Sequence, residues 1–235
     1  MRDRMKDEHY FNSIISKEKK SIVMFENAVK TTILSKGELD RGTRNGYSIL
    51  INSYDKEINL MYSIGEELEE IKSVYKKLLF YYSKMWNRQY GYIELIKVLS
   101  LAVLFEIDKS EICELEEKLL YEEFDDYLAN VLIKRIDSTW NMCGVNFEFN
   151  IYDCLKQLLE NEKDVACENL KSYLQKEWYE IHRECAWYDS HKSKNNVYYG
   201  YWSFEAGAIA KILNINDENL KNTPYYPYDL VHYNS

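Results

Sequence analysis

Residues 200–213 read GYWSFEAGAIAKIL, and this stretch decides the fold of the protein. Its apolar side chains form two stripes on a helical wheel, which together cover most of the circumference and predict a central, buried helix. One stripe contains Trp202, Ala206, Ile209 and Leu213, and the other contains Tyr201, Phe204, Ala208 and Ile212. Small residues at 206–208 and 210 would let neighbouring elements approach closely. Asn214 follows, and asparagine suits the left-handed position that ends a helix.

The segment after this helix contains both prolines of the chain, Pro224 and Pro227. Each proline fixes its own φ and makes the preceding residue extended. We therefore expect residues 225–233 to lie as an irregular aromatic strap over the helices. Within the helix, a lone carboxylate such as Glu205 needs a hydrogen-bond partner, and we expect a tyrosine hydroxyl or an arginine. This isolation favours a role in specifying the fold over a catalytic one.

The rest of the chain also predicts helices, because no proline precedes residue 224 and only eight glycines occur in all. Apolar stripes of helical spacing predict helices at about 6–35, 47–64, 149–161 and 164–185. A strongly apolar helix from residue 92 to 103 is expected to pack against residues 200–213. Residues 35–46, SKGELDRGTRNG, contain three glycines and predict a loop. The sequence therefore predicts an all-α, multi-helix fold.

A change of character near residues 86–91 predicts a domain boundary. We expect an N-terminal helical domain at 1–88, built around a helical hairpin, and a larger C-terminal helical domain at 89–235. A chain of 235 residues that is 46% hydrophobic and 15% aromatic has enough apolar surface for one large core or two small ones.

Composition also bounds the location of the protein. Its longest apolar run, at 98–105, is too short to cross a membrane, and its first residues are unlike a secretory signal. We expect a cytoplasmic protein that does not bind membranes. The five cysteines are scattered and form no CxxC pair, which predicts small, buried thiols and no disulfide framework.

Acidic residues are concentrated in one part of the chain, whose net charge is −9. Residues 89–130 hold 11 acidic residues against 3 basic ones, a balance of −8. Such a surface is unsuited to binding nucleic acid directly and suited to a basic protein partner. We expect the partner-binding residues in two acidic groups: Glu111, Glu114, Glu116, Glu117, Glu122, Glu123, Asp125 and Asp126, and a second group of Glu66, Glu67, Glu69 and Glu70. For the second group, favourable charge at the start of a helix is a sufficient structural explanation.

Two stretches carry a resemblance to a known family. GYWSFEAGAIAKIL, a spacer and YYPYDLVHY resemble the C-terminal signature of the bacterial PoNi family. YSIGEELEEI, at 62–71, is similar to the motif in the N-terminal half of that family. Members of the family are immunity proteins for the PoNe DNase toxins of interbacterial toxin systems. The signature residues in this chain are Tyr201, Trp202, Glu205, Tyr226, Pro227 and Asp229.

The resemblance covers the whole chain and implies a role as an immunity protein whose partner is a cognate DNase toxin. Together with the acidic charge, this role predicts inhibition by occlusion, without catalysis and without a cofactor. The acidic surface would cover the basic, DNA-binding surface of the toxin and its active site.

Two other classes of function remain open at this point. The first is a small helical, metal-dependent hydrolase, whose candidate groups are Glu180, His182, Cys185, Asp189 and His191. Their spacing matches no structural zinc pattern well, and no HExxH, P-loop, GxGxxG or GxSxG motif occurs. The second is a helical adaptor that docks a protein without nuclease activity.

Overall fold

A computed structural model describes residues 1–160 and 163–234, and over these residues the chain is all-α, as predicted. The α-helices are α1 (Glu8–Lys36), α2 (Arg41–Ile64), α3 (Leu68–Met85), α4 (Tyr92–Leu104), α5 (Lys109–Tyr121), α6 (Tyr127–Ile136), α7 (Cys154–Glu160), α8 (Lys163–Ser172), α9 (Trp178–Ile181), α10 (Phe204–Leu213) and α11 (Tyr228–Val231). A π-helical segment, Tyr173–Glu177, joins α8 to α9. Of the predicted helix at 149–161, residue 161 lies outside the described residues.

The predicted loop at 35–46 is wrong in its second half, because α2 begins at Arg41. Asp40 caps this helix by accepting a hydrogen bond from the backbone N–H of Gly42. Gly46 lies inside the helix, where a Cβ atom would stand 2.3 Å from Cγ2 of Val29 on α1. The glycine therefore permits close packing of two helices and does not mark a turn.

The central helix is shorter than predicted, since α10 begins at Phe204. Residues 200–203 are not helical, and Trp202 is only half-buried, so it does not belong to the buried stripe. The predicted end is confirmed: Asn214 adopts the left-handed conformation, with φ 51° and ψ 53°. Local sequence chemistry determines this helix end, whereas at the helix start the N–H of the N-cap residue Ser203 donates to the carbonyl of Tyr225, far along the chain, at 2.8 Å.

The chain forms two compact units. The first contains Met1–Trp86 together with Asp189–Tyr201, and the second contains Asn87–Tyr188 together with Trp202–Ser235. The division near residue 86 lies close to the predicted boundary, but Asp189–Tyr201 belongs to the first unit. The predicted pair of domains, 1–88 and 89–235, stays a prediction.

In the first unit, α1, α2 and α3 pack together, and the segment 189–201 completes the core. Tyr198 is fully buried; its hydroxyl donates to Asp3 and its backbone N–H donates to the hydroxyl of Tyr10 at 3.0 Å. Ser63 on α2 donates to the carbonyl of Tyr199 at 3.2 Å. Because these bonds join residues far apart in sequence, periodicity along the chain does not reveal them.

In the second unit, α10 packs against α4, as predicted from their apolar patterns. Lys211 ties α10 to its neighbours, since its ammonium contacts Glu106 at 2.9 Å and donates to the carbonyl of Tyr233 at 3.0 Å. The strap predicted at 225–233 is not irregular throughout, because residues 228–231 form the single turn of α11. This tail covers Gly207, where a Cβ atom would stand 2.6 Å from Cγ of Pro227.

Gly207→Ala is expected to destabilise the protein by up to about 2 kcal/mol. Alanine favours a helix over glycine by about 1 kcal/mol, but overpacking against a rigid proline ring costs about 1–3 kcal/mol. Urea unfolding measures the net change. The same substitution in a Pro227→Ala background should cost less, because the ring is gone; an equal cost in both backgrounds would contradict this explanation.

The cysteines differ from the expectation of buried thiols. All five are free; Cys113, Cys143 and Cys154 are exposed, and the other two are half-buried. Among the described residues, no helix combines the length and the hydrophobicity that a membrane span requires.

Candidate protein-binding surface

The first acidic group lies on α5 and on the turn that leads into α6. Six of its eight residues are exposed or half-exposed, and we call these the acidic face: Glu111, Glu114, Glu117, Glu122, Glu123 and Asp125. Lys118 is the single basic residue between the first and the last of them. The other two, Glu116 and Asp126, are buried, with exposed fractions of 8% and 0%. They are therefore removed from the predicted surface.

Asp125 and Asp126 have structural roles that explain their acidity. Asp126 caps α6 by accepting from the N–H of Ala129 at 2.8 Å, and it also accepts from the hydroxyl of Tyr92 at 3.0 Å. Burial raises the pKa of this carboxyl, although these hydrogen bonds act in the opposite direction. Asp125 accepts from the N–H of Gly144 at 2.7 Å. Both residues thus hold the loop that follows α6 against the turn.

Glu122 and Glu123 have no such explanation. They follow the last residue of α5, where the negative end of the helix dipole disfavours a carboxylate. Glu123 has φ 51°, a left-handed conformation that glycine or asparagine adopts at lower cost. The carboxylates oppose the dipole of α5, and a residue with a Cβ atom at φ 51° costs backbone free energy; both features indicate a role outside folding.

Arg88 stabilises the turn that follows α5. Its guanidinium donates to the carbonyls of Glu122 at 3.1 Å and Glu123 at 3.3 Å, and it pairs with Glu148 at 2.6 Å. The guanidinium also lies over the ring of Phe124, 5.8 Å from its centroid. These contacts engage the backbone of the turn, through the carbonyls of Glu122 and Glu123. Sequence reasoning missed Arg88, which is 34 residues away along the chain.

Sequence reasoning also missed two exposed apolar residues beside the acidic face. Tyr121, the last residue of α5, is 85% exposed, and Leu120 is 46% exposed. At helical spacing, Glu114, Glu117 and Tyr121 share the face opposite the buried stripe of Ile112, Leu115 and Leu119. A large ring in that position could have been found from the helical wheel of α5. The structure adds that nothing in the described chain covers it.

The buried Glu116 is an unusual component of α5. Its Oε1 atom accepts no hydrogen bond from the described residues. Burial, and then repulsion from Asp137, raise the pKa of this carboxyl. A hydrogen bond from Lys109 lowers the pKa of Asp137, which therefore stays ionised beside it. Ionised Glu116 is thus unfavourable in the folded state.

Glu116→Gln is expected to stabilise the protein at neutral pH, within the range of about 0.5–2 kcal/mol for single stabilising substitutions. A raised pKa means that the folded chain binds the proton more tightly, so ionised Glu116 destabilises it fully above the folded-state pKa. The advantage of the variant should shrink as the pH falls through that pKa, and vanish below the unfolded value of about 4.3. Thermal melts from pH 4 to 8 measure this, with Glu117→Gln as the exposed control. An advantage that does not change with pH would contradict this explanation.

The signature residue Glu205 confirms the expectation of a hydrogen-bonded carboxylate. Its Oε1 atom accepts from Trp178 Nε1 at 2.6 Å, from Ser203 Oγ at 2.6 Å and from the hydroxyl of Tyr173 at 3.0 Å. Glu205 and all three donors are buried. The π-helical segment places Tyr173 at its first residue, with Trp178 directly after it. This network holds α10 against the π-helical segment and contains no second acid.

The other signature residues also make structural contacts. Tyr226 donates to Asp217 at 2.7 Å, and burial raises its pKa. The hydroxyl of Tyr201 lies 2.9 Å from Nδ1 of His191 in the first unit. Pro227 packs on Gly207. Trp202 is half-buried, and Asp229 is exposed.

The second acidic group lies in the first unit, at the start of α3. Glu67 is the N-cap residue, and Glu69 and Glu70 occupy the first turn, where negative charge is favourable. Glu66 is half-exposed, and its carbonyl accepts from Arg2 at 3.0 Å. Helix stability therefore accounts for these charges, unlike those at the end of α5. A binding role for this group stays a prediction.

Four of the five groups named for the hydrolase alternative, Glu180, His182, Asp189 and His191, are engaged in other contacts. His182 is buried, with Nδ1 2.7 Å from the carbonyl of Trp178 and Nε2 3.2 Å from the hydroxyl of Tyr152. Within residues 1–160 and 163–234, no three His, Cys, Asp or Glu side chains converge as metal ligands would.

A cavity of about 300 Å³ lies between α4, α5 and α6. Its charged lining residues include Glu106, which pairs with Lys211, and Lys109, which pairs with Asp137 at 2.8 Å.

Comparisons with known proteins match the chain over nearly its whole length. A family model described as PoNe immunity protein (PoNi), N-terminal, matches residues 2–117. A second, described as PoNe immunity proteins (PoNi), C-terminal, matches residues 124–230. No curated protein matches the chain. The crystal structure of protein PA2201 from Pseudomonas aeruginosa is similar, with a TM-score of 0.63 and 17% sequence identity over 93% of this chain and 87% of that chain. At this identity the likeness shows a shared fold.

Proposed function

The chain belongs to the PoNe immunity protein family and so acts in immunity against a toxin; we propose that it binds a cognate PoNe-type DNase through the acidic face. The single observation that carries this proposal is the charge at the end of α5. Glu122 and Glu123 are placed against the helix dipole, and Glu123 has a left-handed backbone, so folding does not explain them. Favourable contact with a basic partner would explain them.

A DNase offers the complementary surface. It needs lysine and arginine side chains to bind the phosphates of DNA. A rigid patch of carboxylates would compete for those side chains and would speed association through long-range attraction. The contacts of Arg88 support this role, because they fix the turn before binding and reduce the entropy lost on association.

Inhibition would then consist of occlusion. The immunity protein would cover the DNA-binding surface of the toxin, and no covalent step or cofactor of its own would be needed. The contacts of His182 and Glu205 agree with this proposal, because they assign both groups to the core.

Co-expression tests this function. PoNe-type toxins encoded in the same genome would each be expressed with and without this protein. With the cognate toxin, we expect cells to survive, the pair to elute together in gel filtration at modest ionic strength, and DNA cleavage by the purified toxin to stop. Cells that die equally with and without the protein, and the absence of a complex for every toxin, would overturn the proposed function.

A further inference from the structure

Tyr121 is the most exposed apolar residue beside the acidic face. Its side chain is 85% exposed, and Leu120 beside it is 46% exposed. An exposed ring and an exposed aliphatic side chain next to each other in the chain, rimmed by carboxylates, have the composition of a protein-binding site. Tyrosine is also one of the residues that most often dominate the affinity of protein interfaces.

The surroundings of Tyr121 are acidic on two sides. Glu117 lies four residues before it, on the same face of α5, where side chains are neighbours. Glu122 and Glu123 follow it directly. A ring with carboxylates on both sides suits a cation, since the face of the ring attracts positive charge and the carboxylates accept its hydrogen bonds.

The position of the ring is set before binding. Tyr121 ends α5, and Arg88 fixes the backbone of the two residues that follow it through their carbonyls. An anchor on a rigid support loses less conformational freedom on binding than one on a mobile loop. The backbone that carries the ring is therefore held in place before binding.

We propose that Tyr121 is the central anchor of the interface and that it stacks on an arginine of the toxin, whose guanidinium the carboxylates of Glu117, Glu122 and Glu123 hold. Arginine fits better than lysine, because its planar guanidinium both stacks on a ring and pairs with carboxylates in two places. This inference rests on the proposed function, since it takes the basic surface of a DNase as the occupant.

Three substitutions of Tyr121 test the inference by the dissociation rate of the complex with the cognate toxin. Tyr121→Ala should dissociate about 10–30-fold faster, which is the usual effect of losing an anchor. Tyr121→Phe should stay within about threefold of the unchanged protein, because the ring still attracts a cation. Tyr121→Leu keeps apolar area without the ring, and it should behave like the alanine variant.

Leu39→Ala is the matched control, because Leu39 is also 85% exposed but lies between α1 and α2. It should leave the dissociation rate unchanged, and all variants should melt at the temperature of the unchanged protein. A leucine variant that binds as well as tyrosine would overturn the arginine partner. An alanine variant that binds normally, while charge reversal of the acidic face weakens binding, would overturn the anchor and leave the proposed function intact. If the unchanged protein binds no toxin, the proposed function and this inference both fail.

Discussion

Glu205→Ala is expected to lower the free energy of unfolding by about 4 kcal/mol, which is a large part of the 5–15 kcal/mol of a typical domain. The substitution removes the acceptor of three buried donors, those of Trp178, Ser203 and Tyr173. Each buried donor without a partner costs about 1–3 kcal/mol, and removal of the carboxylate also leaves a cavity. Urea unfolding followed by tryptophan fluorescence measures the loss.

Two further variants separate the hydrogen bonds from the cavity. Glu205→Gln keeps the volume but offers a neutral acceptor and adds two donors among donors, so we expect an intermediate loss. Ser203→Ala removes one donor and leaves the acceptor in use, so it should cost about 1 kcal/mol. If Glu205→Ala and Ser203→Ala cost the same, the three-donor network does not support the fold as described.

Reversal of Glu117, Glu122 and Glu123 to lysine together is expected to weaken binding of the cognate toxin about 100–1000-fold at low salt. Each substitution places a positive charge against a basic surface, and like charges across an interface cost several kcal/mol in sum. Association should slow most, and the remaining binding should depend less steeply on salt. Association and dissociation rates at two salt concentrations measure both effects.

The chain offers a control with the same change in net charge. Lysine at Glu67, Glu69 and Glu70 alters the exposed start of α3 in the first unit by the same six charges. This variant should bind the toxin with nearly unchanged rates at physiological salt, because none of its residues belongs to the proposed interface and exposed charges are screened there. If it is the one that loses binding, the interface lies on the second acidic group. Glu116 is left out of both variants because it is buried.

The sequence predicted where acidic residues are concentrated, but not which of them are buried. The sequence indicated that acid is concentrated within residues 89–130, and it assigned Asp126 to the partner-binding surface. Asp126 instead is fully buried, caps α6 and accepts from the backbone N–H of Glu148 in the loop after α6. Charge alone does not report burial, because a carboxylate can be buried wherever donors from distant segments meet it. Tyr121 was missed because most large aromatic side chains of this chain are buried, so an exposed ring was not expected.

Segments next to glycine show a similar limit. The helix predicted at 47–64 ends where expected: Gly65 has φ 93°, and a left-handed C-cap is a local requirement. Gly42 and Gly46 are also glycines, which the sequence analysis took as a sign of a loop, but they lie inside α2. Gly46 faces Val29 on α1. The partner of a glycine in a helix contact lies elsewhere in the chain, so residues 35–46 looked like a loop.

The sequence by itself determined the all-α class, the helix ends at Gly65 and Asn214, the need of Glu205 for a partner, and the family resemblance. These properties depend on backbone preferences and periodicity within a few turns, which neighbouring residues fix. Only the tertiary structure decided which donors meet Glu205, which acids reach the surface, and that Asp189–Tyr201 completes the first unit. Those outcomes depend on contacts between residues tens to nearly two hundred positions apart, and the free energy of such contacts is set by packing in three dimensions.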